Sequence, residues 1–496
     1  MGISRGPATE GQNRRLSRGR VHAISLNPGI LLLAFLPLVF LTGGGSRAEI
    51  ASLMLLRPMA VLVLFAGLIT ISRQDLVRFR WLFWLAGATT VLCLAHLVPL
   101  PPDIWRALPG REIIVEIDQF AGIGDQWRPI TMDPIGGYNA AWSLTVPLAV
   151  LVLAVQLDAQ DHRRVLAAIL LLGALSAVVG LLQLLGGTQS PLYFYRVSSP
   201  GLPVGLFANR NHQAVFLACL VPMAAAWLRN FSGGSARQAN SRWPLALLFA
   251  VLAAFLIAIV LITGSRAGLA AMTIALPGAA WVYGLFDRAP VGVANDSLGK
   301  RARRIGILVL LLLPVLGLSV LSANLGRGLA VERLLGNSPA DDLRAQIVPQ
   351  AFDMTLQYAP IGSGLGSFEP LFKLHESDDF LGPAYVNHVH NDFLEVAMTL
   401  GLPGVMLLLA ALFTVALAAR RVLATSSRSA DNALPRASLV VLFLLAFATL
   451  WDYPLRVPSM MALGILTAVW LGGGKLAERS PGIRSASGSR KSKGFQ

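Results

Sequence analysis

Three short groups of polar residues interrupt the apolar blocks of this 496-residue chain, and each holds residue types that bind anions or move protons. In chain order they are Asn209-Arg210-Asn211-His212, Thr263-Gly264-Ser265-Arg266 and His388-Val389-His390-Asn391-Asp392, the last with Glu395 one turn further on. A guanidinium group keeps its charge at every relevant pH and binds phosphate oxygens through two parallel hydrogen bonds. A neutral imidazole can take a proton from a hydroxyl group. Together the three groups predict an anion site beside a general base.

Each group also has a plainer interpretation. A single arginine at a membrane surface can cap a helix C-terminus or extend to lipid headgroups, and interfacial histidines can act as hydrogen-bonding groups only. The histidine group also offers nitrogen and oxygen ligands for a metal ion, although it lacks the i, i+4 pairing of a zinc protease helix. We favour a site in which Arg210 and Arg266 bind the anion and His390 is the base. We expect Asp392 or Glu395 to orient that base, without a metal or other cofactor.

Long apolar segments must position these groups. The chain is 55% hydrophobic and only 14% charged, with a mean hydropathy of +0.63, whereas soluble domains carry about 25% charged residues. A membrane span needs about 20 mostly apolar residues, and the absence of water in lipid forces such segments to be helical. We therefore predict an all-α polytopic membrane protein with about twelve transmembrane helices. Their predicted ranges are 24–42, 50–71, 81–100, 141–157, 165–186, 212–228, 243–263, 267–285, 305–322, 392–418, 437–453 and 457–473.

The distribution of charge predicts the orientation. The net charge of +15 is concentrated in the two tails and in alternate loops, which is typical of cytoplasmic segments and argues against a nucleic-acid partner. These loops are 73–80, 229–242, 286–304 and 420–436. Two longer intervening loops are acidic: 101–140 holds six acids against three arginines, and 323–391 holds eight acids against four bases. Both termini are therefore predicted to be cytoplasmic, which places all three polar groups on the outer face.

The predicted organisation has five parts. They are a basic cytoplasmic tail at 1–23, transmembrane helices 1–9 at 24–322, a large outer loop at 323–391, helices 10–12 at 392–473 and a disordered cytoplasmic tail at 474–496. A loop as long as 323–391 usually has a function of its own, and it contains a predicted short helix from Asp341 to Gln357. The only cysteines, Cys93 and Cys219, lie in apolar blocks and are expected to be small buried side chains without a disulfide.

Four sequence patterns in this order resemble the bacterial O-antigen ligase and polymerase superfamily of membrane glycosyltransferases. They are Gly205-Leu206-Phe207-Ala208-Asn209-Arg210-Asn211-His212; Thr263-Gly264-Ser265-Arg266-Ala267-Gly268; Arg344 in a helix that leads into Pro360-x-Gly362-x-Gly364-x-Gly366-x-Phe368; and His390-Asn391-Asp392-Phe393-Leu394-Glu395 with Gly401-x-x-Gly404. The resemblance covers roughly residues 200 to 410, and each pattern alone is weak.

The resemblance implies an inverting, metal-independent transfer of a glycan from undecaprenyl pyrophosphate to a sugar hydroxyl. The reaction would take place on the periplasmic face of the bacterial inner membrane. Arg210 and Arg266 match the arginines that hold the pyrophosphate, and His390 matches the histidine that activates the acceptor. Arg344 is a further match with a less defined role. Residues in supporting positions are Asn209, His212, His388, Asn391, Asp392 and Glu395.

Several functions stay open at the level of sequence. A ligase moves the finished glycan to lipid A-core, whereas a polymerase of O-antigen or exopolysaccharide moves it to another lipid-linked repeat; we favour the ligase. A transporter or flippase of lipid-linked glycans is an alternative of another class, but such folds have paired halves and sites near the bilayer midplane. A metalloprotease would predict inactivation by chelators.

Overall fold

The structure is a computed structural model that describes residue 2 and residues 27–231, 243–285, 339–376, 386–425 and 432–473. Within these ranges the chain is mostly helical. Five helical segments are long and apolar enough to cross a membrane: Leu53–Thr70, Pro134–Ala154, Ala159–Gly186, Arg210–Asn230 and Asp392–Ala424. Five shorter apolar helical segments accompany them, namely Pro28–Thr42, Arg80–Ala95, Phe249–Thr263, Ala433–Ala448 and Pro458–Gly472. The protein is therefore an α-helical membrane protein.

The elements follow each other along the described chain. The helices are α1 (Pro28–Thr42), α2 (Leu53–Thr70), α3 (Arg73–Arg78), α4 (Arg80–Ala95), α5 (Pro102–Trp105), α6 (Glu112–Phe120), α7 (Pro134–Ser143), α8 (Thr145–Ala154), α9 (Ala159–Gly186), α10 (Arg210–Phe231), α11 (Trp243–Thr263), α12 (Arg266–Tyr283), α13 (Pro339–Tyr358), α14 (Phe368–His375), α15 (Asp392–Ala424), α16 (Ala433–Ala448) and α17 (Pro458–Gly472). Two short strands, β1 (Pro99–Leu100) and β2 (Arg128–Pro129), pair in antiparallel fashion.

Helix α10 lies at the centre of the bundle. Every residue from 211 to 226 along it is buried, which a helix achieves only when other helices surround it. Small residues allow close contact with α12: a Cβ atom added to Gly268 would lie 2.2 Å from the Cβ of Ala214. This packing fixes the start of α10 beside the turn between α11 and α12. Two of the polar groups of the sequence therefore become neighbours.

Several connections meet at the same end of the bundle. The backbone N–H of Gly44, after α1, donates to the Tyr195 hydroxyl (2.7 Å), and Ala208 N–H donates to Gly44 O (3.0 Å). The Ser459 N–H at the start of α17 donates to Gly43 O (3.0 Å). The start of α15 joins this end, because Asp392 N–H donates to Thr449 O (3.0 Å). The polar residues that precede α10 and α15 are thus brought together.

A glycine turn after α13 packs directly against α15. Gly401 has φ 58° and interrupts α15, and Gly362 (φ 92°) lies so close that an added Cβ would be 2.6 Å from the Gly401 N and Thr399 O atoms. Hydrogen bonds across the contact include Gly364 N–H to Thr399 O (2.8 Å) and Leu402 N–H to Pro360 O (2.7 Å). The glycines of the Pro360–Gly366 motif therefore permit close backbone packing against α15, the helix that follows His390.

Arg111 joins the 101–140 segment to this turn. Its guanidinium donates to the carbonyl oxygens of Pro109 (2.9 Å), Ile130 (2.7 Å) and Gly362 (3.1 Å). Burial lowers the pKa of Arg111 to about 10, so the group still carries its charge at neutral pH. The described residues of the two acidic segments are thus in contact at the glycine turn.

Most predicted element positions agree with the helices, and the differences have physical causes. The predicted helix from Asp341 to Gln357 is present as α13. The predicted span 437–453 is wrong at its end, since α16 stops at Ala448 and Asp452 lies in the following turn. The predicted span 141–157 begins earlier, with α7 and α8 together covering Pro134–Ala154. The predicted span 305–322 lies outside the described residues, so the count of twelve remains a prediction.

Candidate active site

A cavity of about 1000 Å³ opens where α10 begins. The side chain of Asn209 accepts a hydrogen bond from the Asn211 N–H (2.8 Å), which caps the start of the helix. Arg210 lines the cavity and donates to the carbonyl oxygen of Thr263 at 3.4 Å. Arg47 and Arg196 line the same cavity. Three guanidinium groups and a helix N-terminus thus surround one space, which favours the binding of an anion.

Asp452 lies at the centre of a buried polar cluster next to this cavity. Its carboxylate, 1% exposed, accepts a hydrogen bond from the Asn211 side-chain amide (2.8 Å). The same carboxylate lies 3.5 Å from His212 Nε2 and 3.5 Å from His390 Nδ1. These two distances are longer than good hydrogen bonds, but they place two imidazole rings beside one buried negative charge.

Tyr453 packs against three imidazole rings at the edge of the cavity. Its ring centroid lies 5.2 Å from that of His212, 4.3 Å from that of His388 and 5.0 Å from that of His390. Tyr453 and His212 line the cavity, whereas His390 is not among the lining residues. The His390 side chain is 17% exposed, so solvent reaches it beside the cavity.

A second charged cluster holds the start of α15. The Glu395 carboxylate contacts His388 Nδ1 (3.0 Å), accepts a hydrogen bond from Val389 N–H (2.9 Å) and pairs with Arg456 (3.0 Å). Arg456 also donates to Asp392 at 2.5 Å. The expectation that Asp392 or Glu395 orients His390 is therefore wrong. Both carboxylates are engaged by Arg456 and His388, and the carboxylate nearest to His390 in these contacts is Asp452.

The backbone at His390 is strained. Its φ is 59°, and it is the one non-glycine residue with a positive φ in the described part of the chain. This conformation costs free energy for any residue that has a Cβ atom. Directly after it, the Asn391 side chain accepts a hydrogen bond from Leu394 N–H (3.1 Å) and caps α15. Strain of this kind persists only where the surrounding contacts enforce it, and here they direct an imidazole toward Asp452.

Arg266 and Arg344 have different positions from Arg210. Arg266 is exposed at the first residue of α12, where the Ser265 side chain caps the helix by accepting from Gly268 N–H (3.0 Å). The turn that contains it contacts Arg210 through Thr263, although Arg266 is not among the residues that line the cavity. Arg344 belongs to α13. The structure thus brings Arg210, His212 and His390 to one locality, with Arg266 on the adjacent turn.

Electrostatic effects at the site follow from burial and from charged neighbours. Burial raises the pKa of Asp452, but His212 and His390 outweigh burial and hold that pKa well below the ordinary carboxyl value. Burial likewise opposes the charge of Arg456, but Glu395 and Asp392 raise its pKa above the usual value. Burial raises the pKa of Tyr195 to about 12, so its hydroxyl stays neutral beside the cavity. The site therefore combines a persistent carboxylate with persistent cations.

Sequence reasoning missed five residues of this site: Asp452, Tyr453, Arg456, Arg47 and Arg196. A signal was present, because Asp452 and Arg456 are the only charged residues between positions 437 and 474, and ionisable groups in apolar segments usually have a function. Arg47 and Arg196 lie in connections predicted to be outside, where the positive-inside rule disfavours arginine. Among the described residues, no group of three or more His, Cys, Asp or Glu side chains is arranged to hold a metal ion.

Fold and site define a helical membrane protein with an arginine-lined cavity beside a histidine–carboxylate cluster. A comparison with protein families matches residues 248–409 to the O-antigen ligase family (Wzy_C). This part of the chain is similar to the O-antigen ligase domain, and the resemblance found in the sequence is confirmed. Members of this family are membrane enzymes that act on lipid-linked glycans. The match includes Arg266, Arg344 and His390 and excludes Arg210 and Asp452. A comparison with curated proteins found no match.

Proposed function

We propose that this protein is an O-antigen ligase-like glycosyltransferase. It moves a glycan from undecaprenyl pyrophosphate to a sugar hydroxyl of lipid A-core at the periplasmic face of the bacterial inner membrane. The observation that carries this proposal is the cavity that Arg210 lines at the start of α10, next to the cluster of His390 and Asp452. The family match supports the class of reaction, and the site geometry supports the roles given below.

The arginines act on the donor. As the bond between the anomeric carbon and the pyrophosphate oxygen breaks, its electron pair stays on the pyrophosphate, which gains negative charge. Arg210 and the N–H groups at the start of α10 stabilise that charge, with Arg266 on the adjacent turn as a second cation. Removal of one such preorganised donor typically costs about 10²–10³ in rate. The lipid tail of the donor remains in the bilayer between the apolar helices.

His390 acts on the acceptor. Its imidazole takes the proton of the acceptor hydroxyl while the hydroxyl oxygen forms the new bond to the anomeric carbon. Asp452 stabilises the resulting imidazolium, since its carboxylate lies 3.5 Å from Nδ1. Attack from the side opposite the leaving pyrophosphate inverts the anomeric configuration. Asn209, His212, His388, Asn391, Asp392 and Glu395 hold this arrangement in place, and Arg344 is a further candidate on α13.

A reconstituted transfer assay tests the proposal. Purified protein receives a donor linked to undecaprenyl pyrophosphate and a lipid A-core acceptor, without nucleotide or ion gradient. The expected result is a glycan joined covalently to the acceptor. A transporter or flippase would move the donor across vesicles without forming this bond, and folded protein that forms no bond with any acceptor would contradict the proposal.

The choice of acceptor separates ligase from polymerase. Under the ligase proposal, lipid A-core accepts the glycan and a second lipid-linked repeat does not. In cells, deletion of the gene is expected to leave long glycans on the carrier lipid. If deletion instead leaves single repeats on lipid A-core, the protein is a polymerase.

A further inference from the structure

Arg47 and Arg196 add two guanidinium groups to the cavity that Arg210 lines. Arg47 lies in the connection between α1 and α2, and Arg196 lies in the connection between α9 and α10. Among the described residues that line the cavity, Glu49 is the one carboxylate, and it pairs with Arg47 at 3.2 Å. Glu49 is half exposed, so a ligand with its own negative charge can compete for Arg47.

The two connections form a fixed wall. The Gln183 side chain accepts hydrogen bonds from Val204 N–H (3.0 Å) and Gly205 N–H (2.8 Å) and holds the second connection against α9. The Tyr195 hydroxyl joins this connection to Gly44 of the first one. Arg196 directly follows Tyr195 and is exposed at the cavity. The backbone positions of Arg47 and Arg196 are thus fixed by the fold.

The other residues of the wall suit a sugar. Hydroxyl and amide side chains can bond sugar hydroxyls, and they are supplied by Ser46, Ser52, Ser198, Ser199 and Asn387. Phe194 adds an aromatic ring that is 52% exposed. The cavity volume of about 1000 Å³ is at the upper end of ligand pockets, so a diphosphate occupies only part of it.

We propose that Arg47 and Arg196 form a second anion site, which binds the carboxylate or phosphate of an acidic sugar in the glycan substrate. This inference rests on the proposed function, in that the ligand is one of the two transferase substrates. Guanidinium groups recognise both kinds of anion in the same bidentate manner. The acid belongs to the acceptor glycan or to the donor glycan, and the experiment below separates these sources.

A binding measurement tests the site apart from catalysis. Purified full-length protein is titrated with digalacturonate and with its methyl ester, and with mannose 6-phosphate and mannose. Wild-type protein is expected to bind a charged probe at least about tenfold more tightly than its neutral partner at low salt. The Arg47→Gln/Arg196→Gln variant should lose this preference, Arg196→Lys should retain part of it, and Arg163→Gln, at an exposed arginine outside the cavity, should retain all of it. Equal binding of charged and neutral probes by wild-type protein would overturn the proposal.

Transfer measurements then identify the source of the acid. Donor and acceptor are each prepared with an acidic sugar or with its neutral ester, and kcat/KM is compared for the four combinations. Loss of preference in the double variant for the acceptor pair alone assigns the site to the acceptor, and loss for the donor pair alone assigns it to the donor. An equal fall for all four combinations would mean that the arginines act on the shared diphosphate, which contradicts the second site. Failure of every combination to react, with charge-selective binding intact, would reject the transferase proposal and retain the anion site.

Discussion

At the scale of single residues, His390 and Asp452 illustrate what a sequence reveals and what it hides. His390 can be recognised in the sequence because ionisable residues next to apolar segments usually have a function. Its partner is not recognisable by proximity, since Asp452 lies 62 positions further along the chain and the nearer carboxylates bind Arg456 and His388. Local sequence offered two carboxylates, Asp392 and Glu395, and only the packing of the start of α15 against the turn after α16 brings Asp452 to His390.

Replacing His390 by alanine tests the proposed base. His390→Ala is expected to lower transfer by about 10²–10⁴ because the proposed general base is removed, while the protein stays folded. His375→Ala removes an exposed imidazole on α14 and should leave the rate unchanged. Initial rates in the reconstituted assay and the elution profile in detergent provide the measurement. Wild-type turnover by folded His390→Ala would remove His390 from the chemistry.

Replacing Asp452 by asparagine tests the buried carboxylate and its pH dependence. A carboxyl group whose pKa is lowered by folding stabilises the folded state above its ordinary pKa, and this contribution disappears only as the pH falls through the lowered value. Asp452→Asn is therefore expected to unfold at a lower temperature than wild-type protein at about pH 5, where the wild-type carboxyl group remains ionised. Thermal unfolding in detergent measures this difference. A deficit that appears only at the alkaline end would contradict the assigned direction.

At the scale of elements, the glycine turn after α13 contacts α15, the helix that follows His390. The sequence pattern includes a glycine-rich turn at Pro360–Gly366 and a glycine pair at Gly401 and Gly404. The pattern alone does not explain why the chain needs glycine in both segments. The structure supplies the reason, since Gly362 packs directly on the interruption of α15 at Gly401. This contact joins the backbones of two segments that are some forty residues apart in sequence. The periodicity of apolar residues within one segment does not predict which other segment packs against it.

Adding a methyl group at Gly362 tests this contact. Gly362→Ala places a Cβ 2.6 Å from backbone atoms at a φ of 92°, so we expect destabilisation of about 2 kcal/mol or more and reduced transfer. Gly87→Ala is the matched control, because Gly87 lies in α4 with nothing within 4 Å of an added Cβ. It should be neutral or stabilising by up to about 1 kcal/mol. Equal unfolding temperatures for the two variants would show that the turn does not constrain α15.

At the scale of the whole molecule, composition predicted an α-helical membrane protein, and the long apolar helices agree with it. The ends of these helices were less predictable, as Asp452 shows, because an apolar run continues beyond the last helical residue where the chain turns inside the protein. The orientation remains a prediction from arginine and lysine placement. The arrangement of the cavity was not predictable, since Arg47, Arg196 and Arg210 come from separate connections that only the folded bundle joins.

Reporter cysteines at the two ends of α9 test the orientation. This 28-residue helix is long enough to place Arg163 and Gln189 on opposite faces of the membrane, and both natural cysteines are buried. Gln189→Cys should react with an impermeant maleimide in intact spheroplasts, whereas Arg163→Cys should react only after permeabilisation. The reverse pattern would place the cavity on the cytoplasmic side and contradict the proposed periplasmic reaction.

The most direct test of the central claim is the stereochemistry of the reconstituted transfer, carried out in the presence of EDTA. If Arg210 and Arg266 supply the positive charge for the departing pyrophosphate and His390 activates the acceptor, transfer needs no metal and proceeds by one displacement. Proton NMR of the purified product should then show a new glycosidic bond with the anomeric configuration opposite to that in the donor. A product with the donor configuration retained, or activity that EDTA abolishes and a divalent metal restores, would contradict the account.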